Sequence, residues 1–147
     1  MLIIDGYNVL MQMVLKEKKL ENKRNRLIKI LNQRHKMFGG IVVVFDGKDE
    51  VEGAYTKERT AVKVVYTKGE SADDWIKSAI EKSKNPRTIT VATDDREVRD
   101  FARMHGCKLI SSPDLTEKIS AQAKIDVQSY TWQKRAEKII KTLSRAL

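Results

Sequence analysis

The sequence predicts an α/β domain with a mostly parallel five-stranded sheet covered on both faces by helices. Short β-branched segments alternate with amphipathic stretches of helical period, the order that crossover connections require. The segments around 41–45 and 88–92, rich in β-branched and apolar residues, read as strands buried on both faces.

The first strand is Ile3-Ile4, followed at once by Asp5-Gly6-Tyr7-Asn8. From Lys23 to Phe38 the apolar residues Leu27, Ile28, Ile30, Leu31 and Met37 recur at helical spacing, and Gly39-Gly40 supplies the stop. Residues 41–45 and 62–66 are rich in valine and form the second and third strands. The polar stretch from Gly47 to Ala61 joins them without an evident crossover helix and reads as a mobile loop or a short helical excursion. Ala72 to Ser83 is a second helix, with Trp75, Ile76, Ala79 and Ile80 on one face and Ser71 as N-cap. The fourth strand covers 88–92, a third helix runs from Asp95 to His105 and closes at Gly106, and Lys108-Leu109-Ile110 is the fifth strand. After Pro113 the pattern is helical to residue 147, with Leu115, Ile119, Trp132, Ile139, Ile140 and Leu143 as the apolar positions of a tail expected to pack on the sheet. The expectation is one domain over 1–147, with a core of about 1–112 and a basic helical extension of about 113–147.

A length of 147 residues with 41% hydrophobic content suits one such domain. The 29 Lys+Arg against 20 Asp+Glu give a net charge of +9, which favours a polyanionic partner such as RNA. The lone Cys107 cannot close an internal disulfide and reads as a buried apolar residue. The first residues read as a strand and not as a secretory leader, so a cytoplasmic protein is expected. No apolar run approaches the roughly 20 residues that span a bilayer, and no membrane partner is expected. Gly39-Gly40 precedes a strand instead of linking a strand to a helix, which excludes a phosphate-binding P-loop.

The chemistry follows from where the acids fall. Asp5 ends the first strand, Asp46 ends the second, and Thr93-Asp94-Asp95 follows the fourth, so a parallel sheet gathers them at one carboxyl edge. Asp73 and Asp74 join them if the second helix starts there. Several carboxylates at one place raise one another's pKa and call for a cation. Hard ions that take oxygen ligands, Mg²⁺ or Mn²⁺, are the natural neutralisers, and the layout is that of a metal-dependent phosphodiesterase. The amide of Asn8 is placed to orient a water or a phosphate.

Each residue has a plainer role. Taken alone, Asp5-Gly6 and Asp46-Gly47 are better explained as turn dipeptides. Ser71-Ala72-Asp73-Asp74 resembles a capping box that accounts for Asp74 and leaves Asp73 free. For Asp94 and Asp95, completing a helix N-terminus and chemistry fit equally well. His35 reads as solvated and His105 as a helix-end residue. The inference rests on the joint pattern. Basic residues crowd 16–36 and 134–145, and most such runs are solvated helix faces. Beside an acidic site, Arg24, Arg26, Lys63, Lys68 and Arg96 become candidate RNA contacts, with Lys63 and Lys68 expected to reach a phosphate near Asp73. Tyr7 and Tyr66 are candidate stacking platforms for unpaired bases, whereas Trp75 reads as core.

Taken in order, Ile4-Asp5-Gly6-Tyr7-Asn8, Val44-Phe45-Asp46-Gly47, Tyr66-Thr67-Lys68 leading to Ser71-Ala72-Asp73, and Val91-Ala92-Thr93-Asp94-Asp95-Arg96-Glu97 resemble the YacP-like branch of the NYN domains, within the PIN-like nuclease superfamily. The resemblance extends to about Ser112. It implies a PIN-like three-layer sandwich and a divalent-metal endoribonuclease site in which Asp5, Asp73 and Asp95 are the principal acids and Asn8 and Asp46 support them. Asp94 stands where such motifs often carry a small or amidic residue, so either Asp94 or Asp95 can be the ligand. Bacterial members include ribosome-associated nucleases that cut mRNA, which makes the ribosome a candidate partner.

The leading expectation is therefore cleavage of single-stranded RNA, with Asp5, Asp73 and Asp95 holding Mg²⁺ or Mn²⁺, Asp46 and Asp94 tuning the shell, and Asn8 positioning substrate. An RNA- or ribosome-binding adaptor with little catalysis is the alternative, although a pure binder gains nothing by facing phosphate with carboxylates. A receiver-like signalling domain fits the basic charge, Asn8 and Asp73 poorly.

Overall fold

The computed structural model describes residues 1–47 and 61–120. The chain divides into a unit of Met1–Thr116 and a second of Glu117–Leu147, and the architecture below belongs to the first. Its elements in order are β1 (Leu2–Asp5), α1 (Gly6–Gln12), α2 (Leu20–Gln33), β2 (Ile41–Phe45), β3 (Val62–Tyr66), α3 (Ala72–Lys82), β4 (Thr90–Ala92), α4 (Arg96–Met104) and β5 (Lys108–Ile110). The chain turns helical again at residue 112.

All five strands are parallel, in the order β3-β2-β1-β4-β5. The chain winds outward from β1 to β3, then returns to the other side of β1 for β4 and β5. Neighbouring connections therefore diverge between β1 and β4, and this is the switch point where open α/β sheets leave a crevice at their carboxyl edge.

The side-chain period of two decides which helices cover which face. Ile3 is level with Val42 on one side and Val91 on the other. These three, with Val44, join Ala72, Ile76 and Ile80 of α3 and Val98 and Ala102 of α4 in one buried cluster. Leu2, Ile4, Val43 and Phe45 point the other way and are also buried, as are Val9 and Leu10 of α1 and Leu27 and Leu31 of α2. Burying both faces explains why β1 and β2 are apolar at nearly every position. The α/β sandwich expected from the sequence is the fold observed.

The differences are local. Helix α1 has no counterpart in the sequence reading, because Asp5-Gly6 resembles a turn and the helix spans only 7 residues. The helix expected over 23–38 runs from Leu20 to Gln33, and a 3-10 turn at His35–Met37 follows it. There the His35 Nδ1–H donates to the Asn32 carbonyl at 2.7 Å, tightening the last turn before Gly39-Gly40 is reached. His35 is thus half-buried and bonded, not freely solvated. Strand β4 starts at Thr90 because Pro86–Thr88 forms a 3-10 turn. Cys107 is buried in the apolar cluster, and His105 donates to the Phe101 carbonyl at the end of α4, both as expected. The loop reading for Gly47 to Ala61 falls largely outside the described residues, as does the tail beyond 120 with Trp132, Ile139, Ile140 and Leu143.

Candidate active site

The site begins with a tight passage from strand to helix. A Cβ on Gly6 would lie 2.4 Å from Phe45 Cε1, so only glycine lets β1 turn directly into α1 over that ring. Asp5 occupies the N-cap position of α1, yet its side chain makes no capping bond. Its carboxylate is instead held by Asn8, whose Nδ2 donates to Asp5 Oδ2 at 3.0 Å. The other end of the same amide, Asn8 Oδ1, accepts the backbone N–H of Asp94 at 3.2 Å. One side chain therefore links the carboxyl ends of β1 and β4 across the switch point.

Two more acids arrive on helix N-termini. Ser71 caps α3 by accepting the Asp74 N–H at 3.1 Å, which leaves Asp73 in the first turn with its carboxylate uncommitted to the cap. Asp95 caps α4 itself, its Oδ1 accepting the Val98 N–H at 3.0 Å. Thr93 and Arg99 brace this turn: Thr93 Oγ1 accepts the Asp95 N–H at 3.2 Å, and Arg99 Nη1 donates to the Thr93 carbonyl at 2.9 Å.

The electrostatics bind Asp5, Asp73 and Asp95 into one group. Burial first, then the charge of Asp73, push the Asp5 carboxyl up to about 6, with Asp95 adding to the rise and the Asn8 hydrogen bonds opposing it. Asp73 is also raised, by burial and then by Asp95. Asp73 and Asp95 thus oppose the ionisation of Asp5, and Asp95 that of Asp73, the condition that a cation relieves.

The remaining candidates lie elsewhere. Asp46 lines a separate cleft of about 410 Å³ with Gly47, Thr67, Gly69, Glu70, Ser71 and Asp74. Asp94 turns its Oδ1 to the Ser112 N–H, at 2.8 Å. Lys68, Arg26 and Arg96 are exposed, Lys68 in the turn after β3 and Arg96 at the start of α4. Lys63 is level with Val42 and hence with Ile3, so it sits nearer the amino end of β3 than the acidic edge expected for it. Arg24 departs most from expectation. It is 5% exposed, donates from Nη1 to the Tyr7 hydroxyl at 2.9 Å and lies over the Tyr66 ring at 5.8 Å. Tyr7 and Tyr66 in turn flank Phe45, with ring centroids 5.1 and 5.6 Å away. A buried guanidinium so engaged is packing, and the two tyrosines are half-buried parts of the same cluster. The spacing 24, 27, 31 could have revealed this, since it puts Arg24 on the apolar stripe of α2. Nothing in the spacing announces Arg99 or Ser112.

Among the described residues no three Asp, Glu, His or Cys side chains stand close enough to hold one ion directly. The donor set is nonetheless all oxygen, and burial together with mutual repulsion leaves Asp5 short of positive charge. Such a set fits Mg²⁺ or Mn²⁺, hard ions of which Mg²⁺ keeps several waters and takes only one or two carboxylates. It does not fit zinc in a closed nitrogen and sulfur cage.

The chain is a doubly wound parallel α/β domain with interacting acids at the carboxyl edge of its sheet. The chain belongs to the YacP-like NYN domain family, which matches residues 2–146. It is similar to the crystal structure of Rae1 (YacP) from Bacillus subtilis, at 28% identity and a TM-score of 0.63 over 96% of this chain and 87% of that one. A tryptophan-to-leucine variant of the same Bacillus subtilis protein aligns with a TM-score of 0.65 at 27% identity, over 88% of this chain and 82% of that one. No curated protein matches the chain. The family is nuclease-like, and its functions are RNA-related.

Proposed function

We propose that the protein is a divalent-metal-dependent endoribonuclease that cuts single-stranded RNA by attack of water at phosphorus. The observation that carries this reading is that burial and the charges of Asp73 and Asp95 raise the Asp5 carboxyl, and that Asp95 raises Asp73 in turn, at the carboxyl edge of the sheet. A binding module has no use for three repelling carboxylates where phosphate must approach. A cation site needs them.

Asp5, Asp73 and Asp95 are the residues that would hold Mg²⁺ or Mn²⁺, no more than two of them directly and the rest through bound water. Such an ion supplies an activated water and offsets charge on the phosphate oxygens. Asn8 fixes the Asp5 carboxylate, and the raised pKa of Asp5 makes the empty site easier to protonate. Asp95 shares its carboxylate between the α4 cap and the site, so the helix and the acid are set together. Asp46, in the cleft it lines with Ser71 and Asp74, is a supporting acid. Exposed Lys68, Arg96 and Arg26 are the phosphate contacts of this reading, and Lys63 and Arg24 are not. The net charge of +9 favours RNA over a neutral substrate. Messenger RNA on the ribosome, in the cytoplasm, is the setting we propose. Among the described residues no helix is long and apolar enough to cross a membrane.

Incubation of the purified chain with labelled RNA and Mn²⁺ or Mg²⁺, with and without ribosomes, tests this function. Cleavage that disappears in Asp5→Asn and Asp73→Asn supports it, and RNA binding without any cleavage favours the adaptor.

A further inference from the structure

We infer that Asp94 is a positioning residue that locks the orientation of Asn8, and through it the Asp5 carboxylate, to the backbone at Ser112. The inference rests on the site reading above, and it takes Asp94 out of the set of metal ligands.

Three hydrogen bonds run in series. The Ser112 N–H donates to Asp94 Oδ1 at 2.8 Å, the Asp94 N–H donates to Asn8 Oδ1 at 3.2 Å, and Asn8 Nδ2 donates to Asp5 Oδ2 at 3.0 Å. The middle bond fixes which way the Asn8 amide faces. With its oxygen occupied by the Asp94 N–H, the NH₂ end must face Asp5. An Asn8 amide turned by half a revolution would set its oxygen against the Asp5 carboxylate, where no donor is left. Asp94 can serve this purpose only if its own backbone is held, and the bond from Ser112 holds it. The carboxylate of Asp94 is directed to the chain after β5, whereas that of Asp95 caps α4 and acts on Asp5 and Asp73. The two adjacent acids thus divide the work, Asp95 in the site and Asp94 behind Asn8. Only the backbone of Ser112 is used in the series, since its buried hydroxyl has no partner among the described residues.

The test compares Asp94→Asn with Asp94→Ala in the full chain. An asparagine carbonyl can still accept the Ser112 N–H, whereas it carries no charge for a metal ion. Without metal or RNA, nuclear magnetic resonance reads the Ser112 amide exchange rate and the Asn8 side-chain NH₂ resonances. Loss of one such bond is expected to speed Ser112 exchange by about tenfold in Asp94→Ala and to move the Asn8 resonances, while Asp94→Asn stays near wild type. Cleavage should follow the same order, with kcat falling in Asp94→Ala and largely restored in Asp94→Asn at unchanged Mn²⁺ requirement. Thermal unfolding checks that both variants are folded. An Asp94→Asn variant as impaired as Asp94→Ala in cleavage and in Mn²⁺ requirement overturns the inference, as does a Ser112 amide that exchanges freely in the wild-type chain. If the wild type cleaves no RNA, the nuclease reading fails, and the amide measurements decide the positioning role by themselves.

Discussion

Asn8 holds Asp5 from three residues along the chain, Nδ2 to Oδ2 at 3.0 Å, across the point where β1 becomes α1. A buried carboxylate would otherwise drift in rotamer and gain a proton more readily, and this bond opposes both. Asn8→Ala should lower RNA cleavage by about tenfold or more, with the loss larger near pH 6 than at pH 8, because Asp5 then ionises later. Asn8→Asp should be worse, since it places a fourth negative charge against the group. A pH series of single-turnover rates for the two variants checks this.

Asp5 itself trades stability for function. Its folded-state value of about 6 lies above the ordinary 3.8, so between those pH values the native state holds more protons than the unfolded chain. Stability from this group is therefore greatest at low pH and falls as pH rises from about 4 to about 6, by roughly 3 kcal/mol at most. Asp5→Asn removes that dependence. Without divalent metal it should melt higher than wild type at pH 8, with a smaller difference near pH 4. Thermal melts across this range in chelator measure the effect, and added Mg²⁺ should raise the wild-type midpoint more than that of Asp5→Asn.

Among the described glycines, Gly47 leaves the least room for a side chain. A Cβ there would fall 1.8 Å from the Thr67 carbonyl oxygen, and backbone atoms cannot step aside as a side-chain tip can. The Gly47 N–H also donates to Thr67 Oγ1 at 3.1 Å, which joins the carboxyl ends of β2 and β3. Gly47→Ala should cost about 2 kcal/mol or more. Urea titration gives the value, and an unchanged midpoint would contradict the packing described.

Arginine and lysine at this edge should separate cleanly. Arg24 is committed to Tyr7 and Tyr66, so Arg24→Met should reduce stability by about 1–3 kcal/mol while leaving the salt dependence of RNA binding unaltered. Lys68 is exposed, and Lys68→Ala should leave stability within about 0.5 kcal/mol and flatten the salt dependence of binding by about one phosphate contact. Denaturation curves and RNA titrations at several salt concentrations distinguish the two.

The strands were legible because β-branched runs such as Ile41–Phe45 have few other uses, and the helices because of their apolar spacing. The order β3-β2-β1-β4-β5 has no local signature, for a strand's residues do not name its neighbours. The sequence therefore brought Asp5, Asp73 and Asp95 to one edge but could not show that Asp46 lines a different cleft. It preferred Asp95 but left open which of Asp94 and Asp95 is the ligand, since both precede a helix. The bond from Ser112, 18 residues away, to Asp94 and the α4 cap made by Asp95 distinguish them in space. Arg24 reads from the sequence as an RNA contact because positive charge in a basic run looks solvated, whereas its long stem can be buried with its planar head over Tyr66 and bonded to the Tyr7 hydroxyl.

The most direct measurement is metal-dependent cleavage of an end-labelled single-stranded RNA by the wild-type chain beside Asp5→Asn, Asp73→Asn and Asp95→Asn. The prediction is cleavage with Mn²⁺ or Mg²⁺ that chelator abolishes and that each substitution lowers by about a hundredfold or more, with RNA affinity retained. Cleavage that survives all three substitutions, or that proceeds fully in chelator, would contradict the account.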